Sequence, residues 1–257
     1  MHLDLWYAWL DQTADGALRE EYLALLTGDE LARYRRFVFD KDRHQFLVAR
    51  ALCRCALSHY AGVAPVDWRF EQNVYGKPNI VEPAGVSLSF NVSHSHGLVA
   101  CVVAGERRVG LDVECLDRKM SGLPLARRYF ADEEVAALEA APADRQHAEF
   151  FRFWTLKESY IKAHGRGLSI PLRSFAFHRQ SQQPWRLAYH AADGEDPLDW
   201  QFATLDLAGR YLVALAIDVA DQESLRIACR QVVPPRDIGC SRRLPPAATR
   251  HWNLPSP

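Results

Sequence analysis

Apolar residues recur along this chain with two periods, and the points where the period changes divide it into elements. Met1–Leu10 alternates as a strand does, and it lacks the basic stretch and small-residue cleavage site of a signal peptide. Thr27-Gly-Asp-Glu30 has the form of a capping box and predicts a helix start. A longer helix is expected from about Asp40 to Tyr60, stopped by Gly62. Short strands follow at Val66–Phe70, Val86–Val92 and Leu98–Ala104, with the turn-rich Asn73-Val-Tyr-Gly-Lys-Pro78 between the first two. A further strand, Val109–Glu114, leads into a second helical region from about Pro124 to His164. Strand-like runs at Ser174–Arg179, Trp185–His190, Trp200–Leu205 and Tyr211–Asp218 close the pattern.

Strand, helices and strands thus occur twice in succession. The order predicts two α+β halves, residues 1–105 and 106–220, joined near Gly105-Glu-Arg-Arg108. From Pro234 to Pro257, six of 24 residues are proline and no apolar period survives. Residues 221–257 therefore read as a proline-rich tail, flexible or loosely docked.

Composition adds exclusions. The chain has 257 residues, 48% hydrophobic and 25% charged, enough for one large domain or two small ones. A net charge of -1 gives no basic excess that would favour nucleic acid. No stretch approaches the ~20 apolar residues of a membrane helix. The six cysteines (Cys53, Cys55, Cys101, Cys115, Cys229 and Cys240) form no C-x-x-C. That argues against a disulfide framework or a cysteine metal site, and for reduced thiols in a cytoplasmic protein.

Four motifs carry candidate chemistry. In Val109-Gly-Leu-Asp-Val-Glu114, alternation puts Asp112 and Glu114 on one strand face. Two such carboxylates resist burial unless the face is wet or a cation lies between them, and Mg²⁺ takes such ligands. Phe150, Phe153, Trp154 and Ile161 recur at helical spacing, and Glu158 and Lys162 share a face of that helix. The Glu158–Lys162 spacing is equally that of a routine surface pair. In Phe90-Asn-Val-Ser-His-Ser95, placed after a strand, Ser93 and His94 are either phosphate donors or turn formers. Arg43, Arg50 and Arg54 form a stripe on the first long helix, suited to phosphate or simply solvated, with Leu47 in the same stripe.

Taken in order, Tyr75-Gly-Lys-Pro78, Phe90-Asn-Val-Ser-His-Ser95, Val109-Gly-Leu-Asp-Val-Glu114 and Phe153-Trp-Thr-Leu-Lys-Glu-Ser159 with Lys162 closely resemble the 4′-phosphopantetheinyl transferases of the two-domain surfactin (Sfp) type. The resemblance covers roughly residues 1–220. It implies a pseudo-twofold pair of α+β subdomains with coenzyme A in the cleft between them. It also implies transfer of the phosphopantetheine arm to a serine of an apo acyl or peptidyl carrier protein, releasing adenosine 3′,5′-bisphosphate. By the same resemblance, Asp112, Glu114 and Glu158 surround Mg²⁺, with Glu158 also the base, directly or through water. Ser93, His94 and Lys162 grip phosphates, Lys162 adding a second cation, and Tyr75, Gly76, Lys77 and Pro78 form the loop beside the adenine. Glu30, Arg33, Gln45 and Phe46 depart from the family pattern, which leaves Arg43 and Arg50 as candidates for the 3′-phosphate. The family suggests a monomer. A Mg²⁺-dependent phosphohydrolase and a non-catalytic coenzyme A or carrier-binding module are the competing readings.

Overall fold

The computed structural model describes residues 2–179, 184–189, 199–219 and 225–238, together with the backbone of 249–253. The first half opens with strand β1 (His2–Trp9), the short helices α1 (Gly16–Leu23) and α2 (Gly28–Arg36), and the 22-residue α3 (Asp40–Ala61). Thr27 caps α2 as its sequence predicts: Oγ accepts the Glu30 N–H, and Glu30 accepts the Thr27 N–H at 3.0 Å. Gly62 ends α3 in the left-handed region, φ 63°, which costs glycine nothing. The hairpin β2 (Arg69–Gln72) and β3 (Pro78–Glu82) follows, then the pair β4 (Ser89–Ser95) and β5 (Leu98–Ala104).

The second half repeats this order. Strand β6 (Val109–Cys115) is followed by α4 (Gly122–Tyr129), α5 (Asp132–Ala140) and the 22-residue α6 (Ala143–His164). The hairpin β7 (Phe175–His178) and β8 (Arg186–Tyr189) and the pair β9 (Asp199–Leu207) and β10 (Tyr211–Val219) complete it. In each half the opening strand pairs antiparallel with the closing one, β1 with β5 and β6 with β10. The expected α+β fold of two similar subdomains is the one observed.

Alternation along the strands sorts the core. One face of β1 and β5 (Leu3, Leu5, Val102) shares a cluster with one face of β6 and β10 (Leu111, Val113, Leu215). Their opposite faces pack under α3 and α6 respectively. A single apolar layer therefore joins the two sheets, and each long helix covers an outer face.

Three expectations need correction. Residues 65–67 form a 3-10 turn, so the strand expected from Val66 begins at Arg69, and its partner β3 starts at Pro78 inside the supposed loop. The β4 strand is shifted toward Ser95, because the tight reversal falls at His96 (φ 26°) and Gly97 (φ 92°). The Asn91–Ser95 motif therefore lies on the strand and not after it.

The tail reading is the third. Strand β11 (Arg226–Gln231) pairs parallel with β1, and β12 (Thr249–Asn253) pairs with β11, making a five-stranded sheet β12-β11-β1-β5-β4. Leu225, Ile227 and Cys229 alternate onto the core face and are buried, as are Val232 and Ile238 beyond them. The apolar alternation precedes the proline-rich stretch, and β1 would otherwise present a bare edge. Residues 239–248 and 254–257 lie outside the described set. Among the described residues no helix is long and apolar enough to cross a membrane.

A stop after residue 221 should therefore yield insoluble protein, or lower the melting temperature by about 10 °C or more. It removes several side chains contributing roughly 1.5–3 kcal/mol each. A calorimetric scan of the shortened chain matching the full one would show that β11 is dispensable.

Candidate active site

The site is built where two sheet edges meet. Strand β4 ends the five-stranded sheet and β6 ends the three-stranded sheet β6-β10-β9. Side chains of β4 join them: Asn91 Oδ1 accepts the Leu111 N–H at 3.0 Å, Ser93 Oγ that of Val113 at 3.2 Å, and Ser95 Oγ that of Cys115 at 3.1 Å. The period of two puts all three donors on one edge of β6 and all three acceptors on one side of β4. The same register sets the acids against the serines. Ser93 Oγ donates to Asp112 Oδ1 at 3.1 Å, and Ser95 Oγ donates to Glu114 Oε2 at 3.4 Å.

Helix α6 brings the remaining groups. Gly110 allows its close approach, since a Cβ there would lie 1.9 Å from the Ser159 carbonyl oxygen. One side of α6 is held by a fully buried ion pair, Lys157 Nζ to Glu134 Oε2 at 2.7 Å. Lys157 also donates to the Leu172 and Phe175 carbonyls at 2.7 and 2.6 Å. Lys162 Nζ stands 2.6 Å from Asp112 Oδ1 and 3.1 Å from Ser93 Oγ. Its ammonium faces Asp112, so the pairing with Glu158 suggested by helical spacing is not its principal contact.

Three acids, Asp112, Glu114 and Glu158, meet at this cluster. Burial, then repulsion from Asp112, pushes the Glu114 carboxyl up to about 7. Burial and Asp112 likewise raise Glu158, with the Lys162 charge opposing. Among the described residues, Asp112 Oδ2 is buried with no hydrogen-bond partner. A buried carboxylate oxygen left in this way is costly, and a hard cation would relieve it. The all-oxygen donor set of Asp112, Glu114 and Glu158 suits Mg²⁺ in kind. Among the described residues, however, no three such groups already stand close enough to hold an ion.

Two adjoining cavities flank the site, one of about 230 Å³ lined by Glu158 and Lys162 and one of about 430 Å³ reaching His94, Gln45 and Arg50. Gly76, Pro78 and Val92 wall both. Tyr75 and Lys77 line the first, but the Lys77 ammonium points elsewhere. It donates to the Ala163 carbonyl at 2.8 Å and the Val109 carbonyl at 3.3 Å, bridging the end of α6 and the start of β6. Burial lowers its pKa to about 8, with the Arg108 charge assisting. Asn73 completes this clamp by donating to the Gly165 carbonyl at 2.7 Å, while its Oδ1 accepts the Tyr75 and Lys77 N–H groups.

The phosphate candidates divide. Ser93 Oγ is fully engaged by Val113, Lys162 and Asp112. His94 faces the larger cavity with Nδ1 3.1 Å from Gln45 Nε2, and its pKa is lowered by burial and then by Lys162, so the ring is neutral at pH 7. The arginine stripe is mostly internal structure. Arg54 is fully buried against Glu30 at 2.6 Å and the Trp68 carbonyl at 2.7 Å. Arg50 lies 3.5 Å from the same Glu30 but reaches the larger cavity. Arg43 is tied to Asp40 at 2.6 Å and to the Phe37 carbonyl at 2.8 Å, away from the cavity wall. Glu30 is therefore the counter-ion of Arg50 and Arg54, and Arg33 joins Arg50 in the wall. Asn73, Asn91, Ser95 and Gly110 escaped the sequence reading. For Asn91 and Ser95 the available signal was their period-two spacing with Ser93.

Comparisons with known proteins point one way. The family model described as the 4′-phosphopantetheinyl transferase superfamily matches residues 108–216, and that of the 4′-phosphopantetheinyl transferase N-terminal region matches residues 17–108. The chain is 37% identical over 166 residues to the 4′-phosphopantetheinyl transferase HetI of Nostoc sp., covering 64% of this chain and 69% of that protein. It is 30% identical over 195 residues to a 4′-phosphopantetheinyl transferase of Bacillus subtilis, covering 76% and 84%. Its match to the transferase Sfp of Bacillus subtilis strain 168 is 32% over 176 residues, covering 68% and 76%.

The charge state of Glu114 is testable without any substrate. Its folded pKa lies above that of an unfolded glutamate, so the folded form holds the extra proton. Stability should therefore fall as pH rises from about 4.5 to about 7, and stay reduced above that. Glu114→Gln should stabilise the metal-free protein at pH 8 by about 1–3 kcal/mol and have little effect at pH 5. Urea unfolding at the two pH values, with chelator present, reads the difference.

Proposed function

The chain belongs to the 4′-phosphopantetheinyl transferase superfamily and is an enzyme of that type, and from that premise we propose that it moves the 4′-phosphopantetheine arm of coenzyme A onto a serine of an apo acyl or peptidyl carrier protein. One observation supports this reading above the others. Lys162, Asp112 and Ser93 form a single hydrogen-bonded cluster, and Lys162 and Glu158 line the smaller of two cavities that share Gly76, Pro78 and Val92. The cavities suit an elongated anionic substrate with its diphosphate at the cluster.

In this reading the nucleotide lies in the larger cavity, where Arg33 and Arg50 supply cations for the 3′-phosphate and neutral His94 can donate a hydrogen bond. Glu158 takes the proton of the carrier serine, and burial and the Asp112 charge make it a stronger base than an ordinary glutamate. The serine oxygen forms a bond to the phosphorus bearing the pantetheine arm. The bond from that phosphorus to the bridging oxygen breaks, and adenosine 3′,5′-bisphosphate leaves. Lys162, oriented by Asp112 and Ser93, faces the negative charge that develops. Mg²⁺ held by Asp112, Glu114 and Glu158 would supply further positive charge for the diphosphate and the departing oxygen. Lys77 and Asn73 act at one remove, fixing the end of α6 and with it the position of Glu158 and Lys162.

The direct test mixes protein, coenzyme A, Mg²⁺ and several apo-carrier proteins and weighs the carriers. A gain of one phosphopantetheine on the serine is expected, and none on any carrier would overturn the reading. Glu158→Gln should cut transfer by about 10²-fold or more while coenzyme A still binds, as loss of a general base does. Transfer at the normal rate would remove Glu158 from the chemistry. Lys77→Met should lower kcat about tenfold yet change the coenzyme A dissociation constant by less than about threefold, since misplacement affects turnover most. A large loss of affinity with kcat preserved would instead make Lys77 a nucleotide contact.

A further inference from the structure

The corner between α2 and α3 breaks local rules in a way the fold does not use. Phe39 is the N-cap of the 22-residue α3 and provides no side-chain hydrogen bond there. Ser, Thr, Asp or Asn at an N-cap typically contributes ~1 kcal/mol, so a phenylalanine forgoes stability. Nor does it gain any by packing, for Phe39 is 62% exposed and the preceding Val38 82% exposed. Two adjacent large apolar side chains in water, at a position where a polar residue would stabilise the helix, point to a surface that is covered in use.

The surroundings define what covers it. Arg33, Arg35, Arg36 and Lys41 are exposed around this pair, and among the described residues none has a carboxylate within ion-pair distance. Of the two acids in the first turn of α3, Asp40 pairs with Arg43 at 2.6 Å and Asp42 faces the larger cavity. The corner is thus an apolar centre with a cationic rim, on a chain whose net charge is -1. It also borders the cleft, because Arg33, Phe37 and Asp42 line the larger cavity.

We propose that this corner is the surface on which the acceptor carrier protein docks, through an acidic rim surrounding an apolar patch on that partner; this rests on the transferase reading above. Charge complementarity selects an acidic protein surface, and contact with the cavity wall makes the docked partner a neighbour of the bound nucleotide. The exposed valine and phenylalanine supply the desolvated centre, and Arg35, Arg36 and Lys41, outside the cavity wall, supply orientation and encounter rate.

Steady-state transfer to an apo acyl carrier protein and an apo peptidyl carrier domain tests it. Two variants leave the catalytic cluster and the cavity wall intact, Val38→Ser/Phe39→Ser and Arg35→Glu/Arg36→Glu. Each should raise the KM for at least one carrier about tenfold, while kcat at saturating carrier and the coenzyme A dissociation constant stay within about twofold. For the unaltered enzyme that KM should rise between about 50 and 300 mM salt, and for the charge-reversed variant the rise should be blunted. Unchanged KM in both variants overturns the proposal. So does a dimer in sedimentation that the variants dissolve, or binding to phosphatidylserine vesicles that they abolish with KM unaffected. If the unaltered protein binds coenzyme A but loads no carrier, the transferase reading itself falls and the docking proposal with it.

Discussion

The structure turns on a row of three side chains that do the work of a backbone ladder. Two sheets meet edge to edge at β4 and β6, and the amides of Leu111, Val113 and Cys115 find their acceptors in Asn91, Ser93 and Ser95. Buried N–H groups need partners, and a main-chain ladder here would fuse the two sheets into one. Side-chain acceptors satisfy the amides while holding the two backbones farther apart. That extra distance leaves room for the carboxylates of Asp112 and Glu114 and admits Lys162 from the helix above. The geometry of the candidate site and subdomain assembly therefore depend on the same three hydrogen bonds.

Charge is then concentrated where water is scarce. Lys162 faces three acids, with Arg118 reaching Glu114 at 3.8 Å, and the two glutamates hold protons more readily than ordinary ones because of burial and repulsion from Asp112. Such a cluster is poorly stabilised by itself, and the surroundings carry it. The buried Lys157–Glu134 pair holds α6 from behind, and Asn73 and Lys77 secure its end from the other subdomain. Functional sites commonly retain local electrostatic strain of this type, provided the scaffold fixes every element that contributes to it.

Much of this was legible in the residue pattern. Helical period and caps located α2 and α3 because Thr27, Glu30 and Gly62 act within their own neighbourhoods. The face shared by Asp112 and Glu114 followed from strand alternation alone. What sequence could not reveal was partnership at long range. Arg54 reads as a solvated or phosphate-binding arginine until the fold brings Glu30 and the Trp68 carbonyl to it. Lys77 looks like a ligand contact until the Ala163 carbonyl is seen at its ammonium. The partners of Ser93, Val113 and Lys162, belong to other elements, and only the fold unites them. The tail was misread for a simpler reason: three alternating apolar residues are a weak signal beside a run of prolines.

That last strand has a consequence for synthesis on the ribosome. Because β11 lies parallel to β1, residues from opposite ends of the chain, Leu3 and Ile227, are direct neighbours in the sheet. Contacts of such wide separation form late, since the intervening loop must close first. Until they form, a nascent chain carries β1 with one open edge, the kind of surface that pairs with stray strands. The second subdomain will have emerged in full before the first can be sealed. An interrupted message would thus release a product that carries the whole candidate site but whose founding sheet is open, a substrate for chaperones or proteolysis.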